Sequence, residues 1–241
     1  VNGYSLAPYA PKLKDKKFSH YWHKDNLFKN LKFFKNQINQ IVHLGAISST
    51  FGVSRKELKN NNYEYSKKLC EWSIGNDIKF SYASSASIYG DGSKSFSDED
   101  SLINKFSPLN DYAYYKWLFD KWIIKNKIQN KVTGFRFSNI WGPGESHKGE
   151  MASIVYKCYN EIKKTGSAKL FKYGEQERDF LYIKDCVDII DWFIQNPKIC
   201  GIYNIGSGVS NSFKEIVEEI FVVLNMPNKI EYINMPKILV K

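Results

Sequence analysis

Hydrophobic residues along the first part of the chain follow two alternating spacings. Apolar positions three and four residues apart predict an amphipathic helix, and short runs of mostly apolar residues predict buried strands. A helix followed by a strand recurs three times, which predicts a parallel sheet with helical crossovers. The predicted helices are residues 25–34, 56–72 and 113–127, and the strands that follow them are residues 40–46, 78–84 and 131–137.

The last hundred residues keep this mixed character with shorter strands. Ser212 and Glu215 form a capping box that marks the start of the last predicted helix. The pattern predicts a doubly wound α/β sheet followed by a smaller C-terminal α/β lobe, with residues 1–145 in the first part and 146–241 mainly in the second, part of which returns to the sheet. The helices predicted here are residues 153–164, 185–194 and 212–224, and the strands are residues 202–205 and 230–232.

Composition excludes several classes of protein. With 241 residues and 43% hydrophobic residues, the chain is long and apolar enough for a buried core, so we expect neither disorder nor a coiled coil. No apolar run approaches the roughly 20 residues of a membrane span. Four cysteines without C-x-x-C spacing favour a reducing cytoplasm over a metal site or a disulfide framework. The net charge of +10 favours an anionic partner, although charge alone does not identify it.

Polar residues follow three of the predicted strands. Ligands of open parallel sheets bind beyond the carboxyl ends of the strands, so residues 45–49, 84–90 and 138–143 are candidates for a binding site. Tyr112 and Lys116 lie four residues apart and therefore on one face of a predicted helix. We expect the ammonium to lower the pKa of the phenol, so that the pair acts as an acid and base for interconversion of a hydroxyl and a ketone.

These motifs together resemble the extended short-chain dehydrogenase/reductase superfamily. The resemblance rests on Tyr112 and Lys116, on the strand end that contains Ser85, and on the turn at residues 139–143. It implies a Rossmann-like fold, with Ser85 hydrogen-bonded to the reacting oxygen, Tyr112 as the acid and base, and Lys116 on the nicotinamide ribose.

Four further segments make the resemblance more specific. Residues 43–50, 61–67, 141–153 and 177–182 are similar to the ADP-glyceromanno-heptose 6-epimerases, which invert C6 of a nucleotide-linked heptose for lipopolysaccharide. The chain departs from the family's distinctive segment at Ser146 and Glu150. Because the family's serine at position 150 contacts substrate, this departure concerns the identity of the sugar.

The resemblance also implies roles for individual residues. Lys148 would be the second catalytic base, because an inversion through a planar ketone needs a proton carrier on each face. The cofactor would be NADP, with NAD as the alternative, and no metal is expected. Cofactor contacts would be Leu44, Gly45, Ala46, Ile47, Ser48, Asn61, Lys116, Ile140, Lys148 and Lys24. Substrate contacts would be Asn139, Glu150, Lys157, Phe171, Lys172, Tyr173, Gly174 and Arg178.

The family's glycine-rich turn, which binds the cofactor pyrophosphate, has no counterpart in the sequence. We therefore expect a fragment truncated at both ends, with the sheet incomplete at its N-terminus. Two alternatives to the heptose epimerase are another nucleotide-sugar 4-epimerase or dehydratase, and a truncated non-catalytic relative that binds a nucleotide. Dehydratases usually have Asp-Glu after the strand-end hydroxyl residue, whereas Ala86 and Ser87 follow Ser85.

The expected partner is a nucleotide sugar. A nucleic-acid partner is supported only by net charge, and a membrane partner has no span or leader to support it. For the full-length protein the resemblance implies a cytoplasmic homo-oligomer.

Overall fold

The fold is described from a computed structural model for residues 17–49 and 52–234. Within this part of the chain, the residues before Gln40 form one compact unit and the residues from Gln40 onward form another. No helix in the described ranges has the length and apolar character needed to cross a membrane.

The N-terminal unit contains one helix. Helix α1 spans Lys24–Phe34 and continues as a short 3₁₀ turn, Lys35–Gln37. His23 caps its first turn, where the imidazole accepts a hydrogen bond from the Asp25 amide. The aromatic rings of His20 and Trp22 pack on Phe34, with centroid distances of 4.7 and 5.0 Å.

The second unit is built on a four-stranded parallel sheet, as predicted. Its order is β1-β2-β3-β7, so all four carboxyl ends lie at one edge. Strand β7, which follows in the chain long after β3, returns to the sheet beside it. The core strands β2 and β3 are mostly buried, as expected where helices cover both faces. The strands are β1 (Gln40–His43), β2 (Lys79–Ser85), β3 (Val132–Phe137) and β7 (Gly201–Ile205).

Three helical segments connect these strands. The first is α2 (Arg55–Leu58), which continues through one π-helical turn, Lys59–Glu64, into α3 (Tyr65–Ile74). The second is α4 (Asp111–Lys125), whose first turn is capped by the Asn110 side chain. The third is α6 (Ile183–Gln195), whose buried Cys186 and Phe193 share a core cluster with β3 and β7.

The smaller lobe consists of two short sheets and two helices. Strand β6 lies between β4, which is parallel to it, and β8, which is antiparallel. Strands β5 and β9 pair in parallel, and α5 and α7 pack on them around a core that includes Leu170 and Phe221. These elements are β4 (Asn139–Trp141), β5 (Ala168–Phe171), β6 (Glu177–Tyr182), β8 (Ser210–Ser212), β9 (Ile230–Ile233), α5 (Ile154–Thr165) and α7 (Phe213–Val223).

The predicted elements are confirmed with ends shifted by a few residues. The capping box of Ser212 and Glu215 begins α7 as expected. The sequence pattern missed β4, β5, β6 and β8. It also predicted one regular helix over residues 56–72, whereas the structure inserts a π turn there.

Candidate active site

Ser85 ends strand β2 at the carboxyl edge of the central sheet. Its backbone leaves the strand and begins a 3₁₀ turn, Ala86–Tyr89, which the Ser85 side chain caps by accepting a hydrogen bond from the Ser87 amide. The hydroxyl oxygens of Ser85 and Ser87 are 2.8 Å apart. The turn holds the Ser85 hydroxyl at a fixed position beyond the strand.

Tyr112 and Lys116 lie on successive turns at the start of α4. The Nζ atom of Lys116 is 6.0 Å from the centre of the Tyr112 ring, so the predicted pairing on one helix face is present. The Lys116 ammonium donates a 2.6 Å hydrogen bond to the Ala83 carbonyl of β2. Lys116 is buried and Tyr112 is half-buried. Helix α4 thus brings a phenol and an ammonium to the strand that ends at Ser85.

The pKa of Tyr112 shifts in the direction opposite to the predicted one. Burial raises the pKa of Tyr112, and a hydrogen bond with Ser85 acts in the opposite direction. Burial also lowers the pKa of Lys116 to about 8, although the nearby Asp120 carboxylate opposes the change. The expected lowering of the phenol pKa was wrong for this arrangement, because desolvation dominates and the ammonium is bonded to a carbonyl.

The loop after β1 is held by Asn62. This side chain accepts a hydrogen bond from the Ile47 amide and donates one to the Ile47 carbonyl, both at 2.9 Å. Asn62 is buried, whereas Asn61, expected to contact the cofactor, is half-buried and donates its amide to the Glu57 carbonyl. Among the predicted loop residues, Leu44 is half exposed. The loop is therefore exposed at the carboxyl edge of the sheet, and Asn62 holds its backbone at Ile47.

His43 ends β1 next to this loop. Its imidazole Nε2 lies 2.9 Å from the Ser66 hydroxyl. Burial, followed by the charge of Lys116, lowers the pKa of His43 to about 4. A neutral imidazole therefore lies near the Lys116 ammonium at neutral pH.

A buried polar network lies beneath the site. Asp120, one turn beyond Lys116, accepts hydrogen bonds of 2.9 Å from Tyr82, Ser84 and Arg136. The side chains of Asp120 and Arg136 are completely buried. Arg136 also donates to Tyr89, whose hydroxyl donates to Asn204. The network ties α4 to β2, β3 and β7 through Ser84, which precedes Ser85, and Asp120, which lies one turn after Lys116.

Lys148 lies in a 3₁₀ turn, Glu145–Met151, which follows β4. Its ammonium is 3.4 Å from the buried carboxylate of Glu145. Glu150, in the same turn, is exposed, and both its backbone carbonyl and its carboxylate contact the Lys157 ammonium, at 2.5 and 3.7 Å. Lys148 therefore belongs to a separate loop with its own counter-charge.

The other predicted substrate residues lie along the small lobe. Asn139 is exposed at the start of β4, and Ile140 pairs with Leu181 of β6. Three of them occupy a 3₁₀ turn, Lys172–Gly174, in which all three residues have left-handed backbone angles. Arg178 donates to the Glu177 carbonyl and packs over the Phe213 ring at 6.0 Å. Phe171 ends β5.

The geometry joins only some of the predicted residues. Ser85, Tyr112 and Lys116 form one cluster. Lys148 and Glu150 lie in the turn after β4, where Glu150 contacts Lys157, and Lys24 lies in the first turn of α1, in the N-terminal unit. In the described ranges no three His, Cys, Asp or Glu side chains gather as metal ligands. Sequence reasoning missed four buried polar residues that hold these parts: Asn62, Asp120, Arg136 and Glu145.

Comparison with known proteins agrees with this arrangement. A model of the NAD dependent epimerase/dehydratase family matches residues 13–206. The ADP-L-glycero-D-manno-heptose-6-epimerase of Nitratidesulfovibrio vulgaris is 39% identical over 207 residues, which cover 83% of this chain. The enzyme of the same name from Fusobacterium nucleatum is 42% identical over 205 residues, which cover 80% of the chain.

A solved structure gives the same result. The crystal structure of the Helicobacter pylori ADP-L-glycero-D-manno-heptose-6-epimerase matches 92% of this chain and 70% of its own with a TM-score of 0.77 and 27% identity. The chain spans 64% and 62% of the length of the two curated relatives. With the family match covering most of the chain, and with the parallel sheet and its Ser85–Tyr112–Lys116 cluster, this chain belongs to the NAD dependent epimerase/dehydratase family.

Proposed function

We propose that the protein is a nucleotide-sugar epimerase that inverts C6 of an ADP-linked glycero-manno-heptose for lipopolysaccharide synthesis. The observation that carries the proposal is the cluster of Ser85, Tyr112 and Lys116 at the carboxyl edge of the sheet. The names of the relatives at 39% and 42% identity support the choice of sugar. Four free cysteines agree with a cytoplasmic enzyme.

The residues at this edge fit a nicotinamide cofactor. Lys116 offers a buried ammonium, and the loop after β1 offers an exposed surface whose backbone is fixed by Asn62. A Cβ atom built on Gly45 would have only the His43 ring within 4 Å, at 4.0 Å, so the loop leaves open space at that position. Residues 44–48, Lys116 and Ile140 would hold the cofactor, which we propose to be NADP. When bound, it would accept a hydride from the sugar carbon and return it.

The cluster residues would handle the proton of the sugar hydroxyl. Tyr112 would take this proton at its phenolic oxygen as the carbinol becomes a ketone, and Ser85 would donate a hydrogen bond to the same sugar oxygen. A base of this kind needs the phenolate, which burial disfavours at Tyr112. The ammonium of Lys116 is the positive charge near this ring and would offset part of that cost.

A second proton carrier is needed because the ketone must be reduced on its opposite face. We propose Lys148 for this role, since its ammonium can donate a proton to the sugar oxygen as the new carbon–hydrogen bond forms. Tyr112 then gains one proton and Lys148 loses one in each turnover, and exchange with solvent restores both. The two residues lie on different elements, α4 and the turn that follows β4.

The small lobe would bind the nucleotide diphosphate. Arg178 on β6 is exposed and Lys157 on α5 is half-buried, and a guanidinium matches phosphate oxygens with two parallel hydrogen bonds. Asn139, Glu150 and residues 171–174 would complete the contacts with the substrate. We also propose that the full-length protein forms a homo-oligomer.

The proposal is tested by incubating the protein with NADP and the D-glycero form of the ADP-linked heptose, and by following the L-glycero epimer by NMR. Removing the phenol in Tyr112→Phe should lower kcat by roughly 100-fold or more. Tyr114→Phe, on the same helix, is the matched control and should keep activity. Turnover of a different nucleotide sugar without any heptose epimer would overturn the assignment.

A further inference from the structure

One buried carboxylate lies in an otherwise exposed loop. Glu145 is only 4% exposed, whereas its neighbours from Pro143 to Glu150 are exposed. A buried charge in such a loop is unusual and needs compensating partners. Neither the family resemblance nor the proposed chemistry assigns a role to this side chain.

The Glu145 carboxylate joins the two ends of the loop. One oxygen accepts hydrogen bonds from the Gly142 amide at 3.1 Å and the Ser153 hydroxyl at 2.7 Å. The other accepts from the Ser153 amide at 2.8 Å. Ser153 is also the N-cap of α5, so the carboxylate fastens the loop to the start of that helix. The chain between these two anchors carries Lys148.

The fourth partner of the carboxylate is Lys148 itself. Its ammonium lies 3.4 Å from the oxygen that also binds the Ser153 amide. Burial acts to raise the pKa of Glu145, but hydrogen bonds from Ser153 and Gly142 and the charge of Lys148 outweigh it, so this pKa is below its usual value. The carboxylate is therefore ionised at neutral pH and faces the ammonium as a fixed counter-charge.

We propose that Glu145 is a positioning residue for Lys148: it closes the loop from Gly142 to Ser153 and holds the Lys148 ammonium by a charge-assisted contact. The inference rests on the proposed function, in which Lys148 carries the second proton. Glu145 would act through Lys148 and need not touch the sugar. Lys157, by contrast, pairs with the exposed carboxylate of Glu150.

Two variants separate the two roles of Glu145, which are to close the loop from Gly142 to Ser153 and to supply the counter-charge of Lys148. Glu145→Gln keeps the size of the side chain but removes its charge. Ser153→Ala removes one hydrogen bond to the carboxylate, together with the N-cap bond to the Tyr156 amide, and leaves the ion pair. Glu71→Gln, which breaks an exposed pair with Lys67, is the control for loss of one surface carboxylate.

The first measurement is the rate at which an amine-acylating reagent labels Lys148, read by peptide mass spectrometry with Lys157 as the internal reference. We expect a several-fold faster labelling of Lys148 in Glu145→Gln, a smaller rise in Ser153→Ala and none in Glu71→Gln. Equal labelling in the wild type and Glu145→Gln would overturn the proposal. An equal rise in the labelling rate of Lys148 in Glu145→Gln and Ser153→Ala would contradict the role of Glu145 as a counter-charge.

The second measurement is steady-state epimerisation. Misplacement of the proton carrier should lower kcat of Glu145→Gln by roughly 10- to 100-fold with little change in KM. Unchanged kcat with a folded circular dichroism spectrum would contradict the proposal. Lys148→Ala distinguishes the two hypotheses: if it retains full activity, the second proton carrier of the proposed function fails, while the labelling result still decides whether Glu145 holds Lys148. If Glu145→Gln fails to fold, Ser153→Ala decides the question. Unchanged labelling and kcat in that variant would contradict the closing of the loop by Glu145.

Discussion

At the scale of single residues, burial changes the acid–base properties of the site. Lys116 is a buried amine whose hydrogen bond goes to the Ala83 carbonyl, and its charge is only partly balanced by Asp120. Desolvation therefore outweighs that attraction and lowers the pKa of Lys116 to about 8. The residue that would hold an anionic cofactor thus titrates within a range that experiments readily reach.

This pKa predicts how cofactor affinity depends on pH. Below pH 8 Lys116 is an ammonium, and above it the charge is lost, although a lysine in water would remain charged to about pH 10.5. The affinity for NADP should therefore fall as pH rises through about 8. In Lys116→Arg the guanidinium stays charged, so this fall should disappear. Fluorescence titration with NADP from pH 6 to 10 measures the affinity of the wild type and of Lys116→Arg. A fall of the same size in the arginine variant would contradict the assignment.

At the scale of elements, the π turn between α2 and α3 determines which residue reaches the loop after β1. A π turn contains one more residue than an α turn and shifts the phase of the helix that follows. Asn62 is consequently buried, where it bonds both backbone groups of Ile47, whereas Asn61 is only half-buried. The π turn therefore holds the loop after β1 through the side chain of Asn62.

Replacing this side chain should loosen the loop. Asn62→Ala leaves the amide and carbonyl of Ile47 without their partner, so we expect local stability to fall by about 1–3 kcal/mol. Hydrogen exchange of the Ile47 amide should accelerate accordingly, and the affinity for NADP should fall with it. Asn160→Ala, which removes an exposed helical side-chain bond to the Tyr156 carbonyl, is the matched control. Unchanged exchange at Ile47 in Asn62→Ala would count against the role of Asn62.

The elements also show what the sequence could and could not predict. The helices and core strands were predictable because apolar residues repeat at the spacing of each element. Strands β4 and β8 contain three residues each, too few for a periodic pattern, and β6 begins with the charged Glu177, Arg178 and Asp179. Asp179 is held by the amides of Ser207 and Gly208, a contact between distant parts of the chain that local patterns cannot contain.

The same distinction applies to the candidate site. Tyr112 and Lys116 were predictable, because a spacing of four residues places two side chains on one helix face. Lys148 and Arg178 followed only from the family resemblance, and their roles remain predictions. Asp120 follows Lys116 by another four residues, but its partner Arg136 lies on β3 and becomes visible only in three dimensions.

At the scale of the whole sheet unit, the Asp120–Arg136 pair links elements that must stay in register for the site to form. Both side chains are fully buried and are surrounded by Tyr82, Ser84 and Tyr89. Among the described residues, Nη2 of Arg136 is the buried side-chain nitrogen without a hydrogen-bond partner. The arginine therefore depends strongly on this one carboxylate for its compensation.

Removing either charge should destabilise the whole unit. Asp120→Asn leaves a buried guanidinium without a counter-charge, and Arg136→Met leaves a buried carboxylate, so each should lower the free energy of unfolding by about 3–5 kcal/mol. The double variant removes both charges and should lose clearly less than the sum of the two single losses. Glu71→Gln, at an exposed pair, should cost less than about 1 kcal/mol. Urea unfolding followed by circular dichroism gives all four values. If the two single losses simply add in the double variant, the pair does not hold the sheet and α4 together in the way its burial implies.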